Sequence, residues 1–289
     1  MSLLKVENLS YSYNKGTSME KNAVKNASFE IEQGDFIGII GHTGSGKSTL
    51  IQHFNGLIRP DSGRIYINGE DIWASKERLH QIRFIVGLVF QYPEYQLFEE
   101  TVYKDIAFGP GNMGLGKEEI DARVREAADF AGVHPEYLES SPFDLSGGQK
   151  RRAAIAGVIA MRPQILVLDE PAAGLDPHGR DRIFERIKNY HKKTGSTVVL
   201  VSHSMEDIAR YAKKVLVMNQ GGIETFDTVE NVFSKAERLL EIGLEVPMIT
   251  RVFMALRARG IDVPPDVYTV DYGRSEILKL LEREGIKHA

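Results

Sequence analysis

The sequence predicts an α/β fold built on a mostly parallel sheet. Short apolar runs at Phe36–Ile40, Ile85–Phe90, Ile165–Leu168 and Thr197–Val201 read as strands buried on both faces. Helical spacing separates them, over Lys117–Ala131, Ser146–Met161 and Pro177–Thr194. The residues with chemistry to offer, Gly41, Gln91, Asp169, Glu170 and His203, each follow one of these runs directly. That placement brings them to one edge of the sheet, beyond the carboxyl ends of the strands, where ligands of such sheets bind.

Taken in order, Leu4–Tyr13 and Ala27–Ile31 alternate apolar and polar residues, as half-buried antiparallel strands do, and predict a separate β subdomain. Gly34-Asp35 is a turn before the first buried strand. The helix opened by Lys47 runs to about Leu57 and stops before Arg59-Pro60. Arg64–Asn68 is a short strand bracketed by turn residues. From Tyr92 to Phe143 the text turns glycine-rich and helical, and with the helix from Ser146 it predicts an inserted helical subdomain at about 92–162. Lys214–Met218 and Ile223–Phe226 flank Gln220-Gly-Gly222, a hairpin signal. The main domain is expected over 1–228. A helical extension over 229–289 follows, from helical apolar spacing in Glu230–Ile242, Pro247–Arg259 and Arg274–Glu284.

The 289 residues are 42% hydrophobic and 26% charged, a normal globular balance. A net charge of −4 argues against nucleic-acid binding through a broad basic surface. Without cysteine, disulfides, thiolate metal sites and thiol catalysis are excluded. No signal peptide is visible, and no apolar run approaches the roughly 20 residues of a membrane helix.

Gly41-His42-Thr43-Gly44-Ser45-Gly46-Lys47-Ser48, followed by Thr49, fits the Walker A pattern, whose backbone N–H groups wrap a nucleotide's phosphates. Lys47 supplies charge to the β/γ-phosphates, Ser48 offers a hydroxyl to Mg²⁺, and the helix aims its positive end at the anion. Asp169 and Glu170 end the apolar strand Ile165–Leu168. Adjacent carboxylates there are costly unless they are compensated. A Mg²⁺ ligand at Asp169 and a general base at Glu170 explain the pair. Ser146-Gly147-Gly148-Gln149 is a second glycine-rich helix start. One phosphate loop fills one nucleotide site, so this second start needs another phosphate to grip. Asp176-Pro177 reads as an ordinary helix cap on its own terms.

Across roughly Leu3–Phe226 these motifs resemble, in order, those of ATP-binding cassette (ABC) ATPases. The resemblance implies that Gly41–Thr49 holds ATP and that Ser146, Gly147, Gly148 and Gln149 reach the ATP held by a second ABC ATPase subunit. It implies that Gln91 senses Mg²⁺ and water, that His203 meets the γ-phosphate, and that Asp176 lies near the dimer seam as well as capping a helix. Tyr13 aligns with the aromatic that stacks on adenine, with Tyr11 as the competing candidate. His42, Gln52–Leu57, Gln91–Phe98 and Pro171–Asp176 are similar to the ATPases of energy-coupling factor (ECF) importers of vitamins and metal ions in prokaryotes. That implies an integral membrane coupling protein, a membrane substrate-binding protein and a place on the cytoplasmic face of the cell membrane. A heterodimer is favoured, with a homodimer still open. The family's C-terminal helices help to join two ATPases, and the alternative is that they pack on their own domain. A repair-type protein would need long coiled coils before Ser146, and a P-loop kinase would leave Leu145–Gln149 unexplained.

Overall fold

The computed structural model describes residues 2–283. Strands β1 (Ser2–Tyr13) and β2 (Lys21–Glu32) pair antiparallel, with Val6 opposite Phe29 and Tyr13 opposite Lys21. After β3 (Phe36–Gly41) and helix α1 (Lys47–Phe54), the chain returns through β4 (Ser62–Ile67) and β5 (Glu70–Asp71) to complete the sheet β2-β1-β4-β5. Both long strands start earlier than alternation predicts, at Ser2 and Lys21, because antiparallel pairing continues to Ser2 opposite Glu32 at one end and Tyr13 opposite Lys21 at the other. Helix α1 ends at Phe54 rather than near Leu57: Gly56 turns left-handed at φ +69°, and the Leu57 N–H reaches back to the Gln52 carbonyl at 3.1 Å.

Helix α2 (Lys76–Ile85) leads into β6 (Val86–Val89). A helical unit follows, formed by α3 (Val102–Asn112), α4 (Lys117–Ala131) and α5 (Gly147–Ile159). The chain then alternates through β7 (Ile165–Asp169), α6 (Pro177–Thr194), β8 (Thr197–Val201) and α7 (Met205–Tyr211) to the hairpin β9 (Lys214–Asn219) and β10 (Gly222–Thr228). Its two turn residues, Gln220 and Gly221, both have positive φ, which matches the twist of the flanking strands. The second sheet has the order β10-β9-β3-β8-β7-β6, parallel throughout except for the β9–β10 pair.

Each parallel strand sends alternate side chains into two cores, which is why these runs are apolar without interruption. Ile37, Val167, Val199 and Leu216 meet α1 and the antiparallel sheet. Ile40, Leu168, Leu200 and Val217 meet the helical unit, α6 and α7.

The segment predicted as one helix over Glu230–Ile242 forms two, α8 (Val229–Phe233) and α9 (Ala236–Glu241), broken at Ser234-Lys235. Their buried faces, Val232, Phe233 and Leu239, join the main core. The last helices, α10 (Met248–Ala258) and α11 (Val270–Arg283), enclose a small core around Phe253, Val263 and Val267. Glu284, the last residue predicted in a helix, lies outside the described residues. Among those described, no helix is long and apolar enough to cross a membrane.

Candidate active site

Strand register places the chemistry. Ile39 of β3, Val201 of β8 and Asp169 of β7 lie level, and Val89 of β6 lies level with Leu168. Gly41, Glu170, His203 and Gln91 therefore emerge from four adjacent strands at a common edge.

The loop from Gly41 to Thr49 is shaped by its glycines. Gly46 caps α1 at φ +101°, and a Cβ there would sit 2.1 Å from the Ala23 carbonyl oxygen. At Gly41 a Cβ would lie 2.4 Å from Ser45 Oγ and 2.6 Å from the Met218 carbonyl oxygen. No side chain caps α1 and no acidic residue occupies its first turn, so its N–H groups point at the cleft. The Lys47 ammonium donates to the carbonyls of Gly41 at 2.7 Å and His42 at 3.1 Å. Burial lowers its pKa, and Glu170 and Asp169 oppose that shift. His42 Nδ1 lies 2.9 Å from the Thr43 carbonyl oxygen, while Ser45 Oγ is buried without a partner. A cleft of about 140 Å³ runs from Gly44–Thr49 to Tyr13, Lys21 and Ala23. Tyr13, 37% exposed, hydrogen-bonds through its hydroxyl to Thr49 Oγ1 at 3.2 Å. Tyr11 turns inward against His53, with ring centres 5.2 Å apart. The two rings touch edge to face, 5.0 Å between centres, but Tyr13 lines the cleft while Tyr11 packs against the core.

Burial pushes the Asp169 carboxyl up, and the Ser48 hydroxyl and Lys47 ammonium pull it partly back. Beside it, burial first and the Asp169 charge second push Glu170 up to about 7. Glu170 also holds a left-handed φ of +50°, a conformation costing about 1–3 kcal/mol that persists only where the surroundings impose it. Its Oε1 is buried with no hydrogen-bond partner, and His203 Nε2 stands 3.5 Å away. Ser48 and Asp169 supply hard oxygen donors, and the described residues contain no cluster of three or more histidine or carboxylate side chains for a metal. Two protein oxygens suit a cation whose other ligands come from phosphate and water. Gln91 is exposed at the end of β6.

Ser146 and Gly147 are exposed at the start of α5, outside this cleft. Gln149 Oε1 accepts the Ser146 N–H at 2.7 Å, a local helix cap. A Cβ at Gly147 would meet nothing within 4 Å, and one at Gly148 only Arg152 Nη1 at 3.8 Å. Their own fold does not require these two glycines. Asp176 Oδ1 caps α6 by accepting the Gly179 N–H at 2.7 Å.

Two residues at or behind the site escape sequence periodicity. Lys21 lines the cleft because the β1–β2 register sets it opposite Tyr13. Arg151, 3% exposed on α5, forms an ion pair with Glu94, a partner 57 residues distant that only folding brings near.

Residues 24–173 match the family model described as ABC transporter. The chain is 58% identical, over 96% of its own length and 97% of the relative's, to the energy-coupling factor transporter ATP-binding protein EcfA2 of Caldanaerobacter subterraneus subsp. tengcongensis. It is 52% identical to the EcfA2 protein of Acetivibrio thermocellus, over 97% of this chain and 99% of that one. Its fold matches cbiO1 from Clostridium perfringens, described as part of the ABC transporter complex cbiONQ, with a TM-score of 0.74 and 37% identity over 89% of this chain and 99% of that one. It also matches the ATP-binding cassette MJ0796, solved as a dimer bound to ADP and Pi, with a TM-score of 0.70 and 28% identity over 78% of this chain and 98% of that one. A Walker A loop, a carboxylate pair and a histidine on one sheet edge, in a chain this similar to those proteins, make it a member of the ABC transporter ATPases, among the ATP-binding, ATP-hydrolysing subunits of energy-coupling factor transporters.

Proposed function

We propose that two such cassettes close around two Mg·ATP, each contributing its Gly41–Thr49 loop to one nucleotide and its Ser146–Gln149 turn to the other. The partner is a second ABC ATPase, with a heterodimer favoured. The carrying observation is the pair of glycines at 147 and 148, which the chain's own packing does not need and which lie outside its own cleft. Backbone N–H groups at a helix start, stripped of side chains, suit the close approach of a phosphate from elsewhere.

In this reading Lys47 exchanges its loop carbonyls for the β/γ-phosphates, and Tyr13 stacks on the adenine. Ser48 and Asp169 would hold Mg²⁺, with Gln91 at its water, and the ion when bound offsets charge on the phosphates. Glu170 accepts the proton of the attacking water, and its pKa of about 7 suits a base working near neutrality. His203, whose pKa burial lowers, presents a neutral ring that orients the water and γ-phosphate.

The assembly acts on the cytoplasmic face of the cell membrane, with an integral membrane coupling protein and a membrane substrate-binding protein for a vitamin or metal ion. Supporting this is an apolar cleft of about 550 Å³ between Phe84, Phe98 and Phe108. Tyr95, 84% exposed, follows on the same segment after Gln91. The extension from residue 229 is assigned to contact between the two ATPases, through exposed Met248 and Val252 on α10. The deciding experiment purifies the chain from native membranes and identifies what accompanies it. A second ATPase with two membrane proteins is expected, and recovery of the chain alone at full ATPase rate would end this reading.

A further inference from the structure

Arg151 reaches three parts of the molecule with one guanidinium. Nε donates to Glu94 Oε2 at 3.0 Å and Nη2 to Glu94 Oε1 at 2.7 Å, a parallel fork onto one carboxylate. Nη1 donates to the backbone carbonyls of Pro171, at 3.4 Å, and Ala173. Glu94 belongs to the short 3₁₀ turn Pro93–Gln96 that follows Gln91, and Pro171 follows Glu170 directly. Burial pushes the Glu94 carboxyl up, but Arg151 outweighs it and keeps the carboxylate ionised.

Beyond the backbone N–H of His203, the Glu170 carboxylate has little of its own to hold it. One oxygen lacks a hydrogen-bond partner and the backbone sits at φ +50°, so the direction of the side chain depends on how residues 171–173 are anchored. Arg151 anchors two of those three carbonyls. At the far end of the same loop, Arg180 of α6 donates to both oxygens of Asp207 on α7 at 3.1 Å.

We propose that Arg151 is a positioning residue for hydrolysis. It ties the backbone after Glu170 to the turn after Gln91, so that displacement of that turn by a membrane partner re-aims the general base. This rests on the reading of Glu170 as the base and of Gln91–Phe98 as the surface facing the partner. A lysine at 151 keeps the charge but cannot fork onto Glu94 while also bonding two carbonyls.

The test measures kcat, KM for ATP and Tm for Arg151→Lys, Glu94→Gln, the double variant and Glu170→Gln, each in the assembled transporter. Arg151→Lys and Glu94→Gln are each expected to lower kcat about tenfold or more, the scale set by small misplacement of a reacting group, with KM and Tm near wild type. The double variant should be no worse than the poorer single, because the pair acts as one unit. Full kcat in Arg151→Lys, additive losses in the double variant, or a joint fall of Tm, ATP affinity and kcat would overturn the proposal. If Arg151→Lys does not fold, Glu94→Gln decides alone: reduced kcat at constant KM supports the link, and wild-type kcat removes it. Activity in Glu170→Gln would instead refute the base assignment.

Discussion

Glu170 and His203 face each other across the ends of β7 and β8, with His203 Nε2 3.5 Å from Glu170 Oε1. The contact is not an ion pair near neutrality. Burial raises the carboxyl to about 7 and lowers the imidazole, so desolvation moves both groups toward their neutral forms. A water held between a poised carboxylate and a neutral ring can lose its proton to one while being oriented by the other.

Replacing Glu170 by Gln keeps the shape and removes the proposed base. ATP should still bind and the closed dimer should persist, while turnover falls by about 10²–10⁴-fold, the usual contribution of a positioned base. ATPase assays with size-exclusion in ATP check both halves, and near wild-type turnover would contradict the role.

The same carboxyl sets a pH profile. A base must be ionised, so kcat/KM should level off above about pH 7 and fall about tenfold per unit below it. Stability runs in the opposite sense: a carboxyl raised from 4.5 to about 7 favours the fold in its protonated form. That contribution is complete below pH 4.5 and is lost as pH climbs through 7. The Tm advantage of Glu170→Gln over wild type should therefore grow between pH 4.5 and 7. A difference independent of pH would show that the carboxyl is not shifted.

Lys47→Ala removes the one side-chain cation of the Walker A loop. Nucleotide affinity should drop by at least about tenfold, since a charged hydrogen bond contributes about 1.5–3 kcal/mol. Fluorescent ATP titration measures it, and unchanged affinity would count against the loop as the phosphate site.

The glycines separate two kinds of requirement. Gly46→Ala forces a Cβ to within 2.1 Å of the Ala23 carbonyl oxygen and should abolish ATP binding by the chain alone. Gly147→Ala meets open space, so Tm and ATP binding by the chain alone should stay at wild type. Its loss should appear only in the turnover of the assembled pair. Equal effects of the two substitutions on the isolated chain would remove that distinction.

At the surface after Gln91, Tyr95 is 84% exposed, so Tyr95→Asp costs the fold little. Uptake by the reconstituted transporter should fall while ATP turnover by the ATPase pair continues. Leu97 is a poorer probe, because it packs partly against the main core. Undiminished uptake in Tyr95→Asp would take this surface out of the coupling.

The parallel strands, the Gly41–Thr49 loop, the Asp169-Glu170 pair and the Ser146–Gln149 turn were legible in the sequence because each is contiguous and its chemistry restricts the residue types. Helix α2 was not, because it is only ten residues long, runs straight into the apolar strand β6, and has Ile82 as its only fully buried residue. Helix α7, at 7 residues, is too short for helical spacing to register. Tertiary structure alone decided that Tyr13 rather than Tyr11 lines the cleft, since the β1–β2 register shifts between Tyr11 and Ser12 and Tyr11 packs against His53. It alone brought Lys21 beside the loop and joined Arg151 to Glu94 and the carbonyls after Glu170. Local sequence determines which chemistry is present. Long-range packing determines what holds each group in place, because the restraining partners come from strands and helices dozens of residues away.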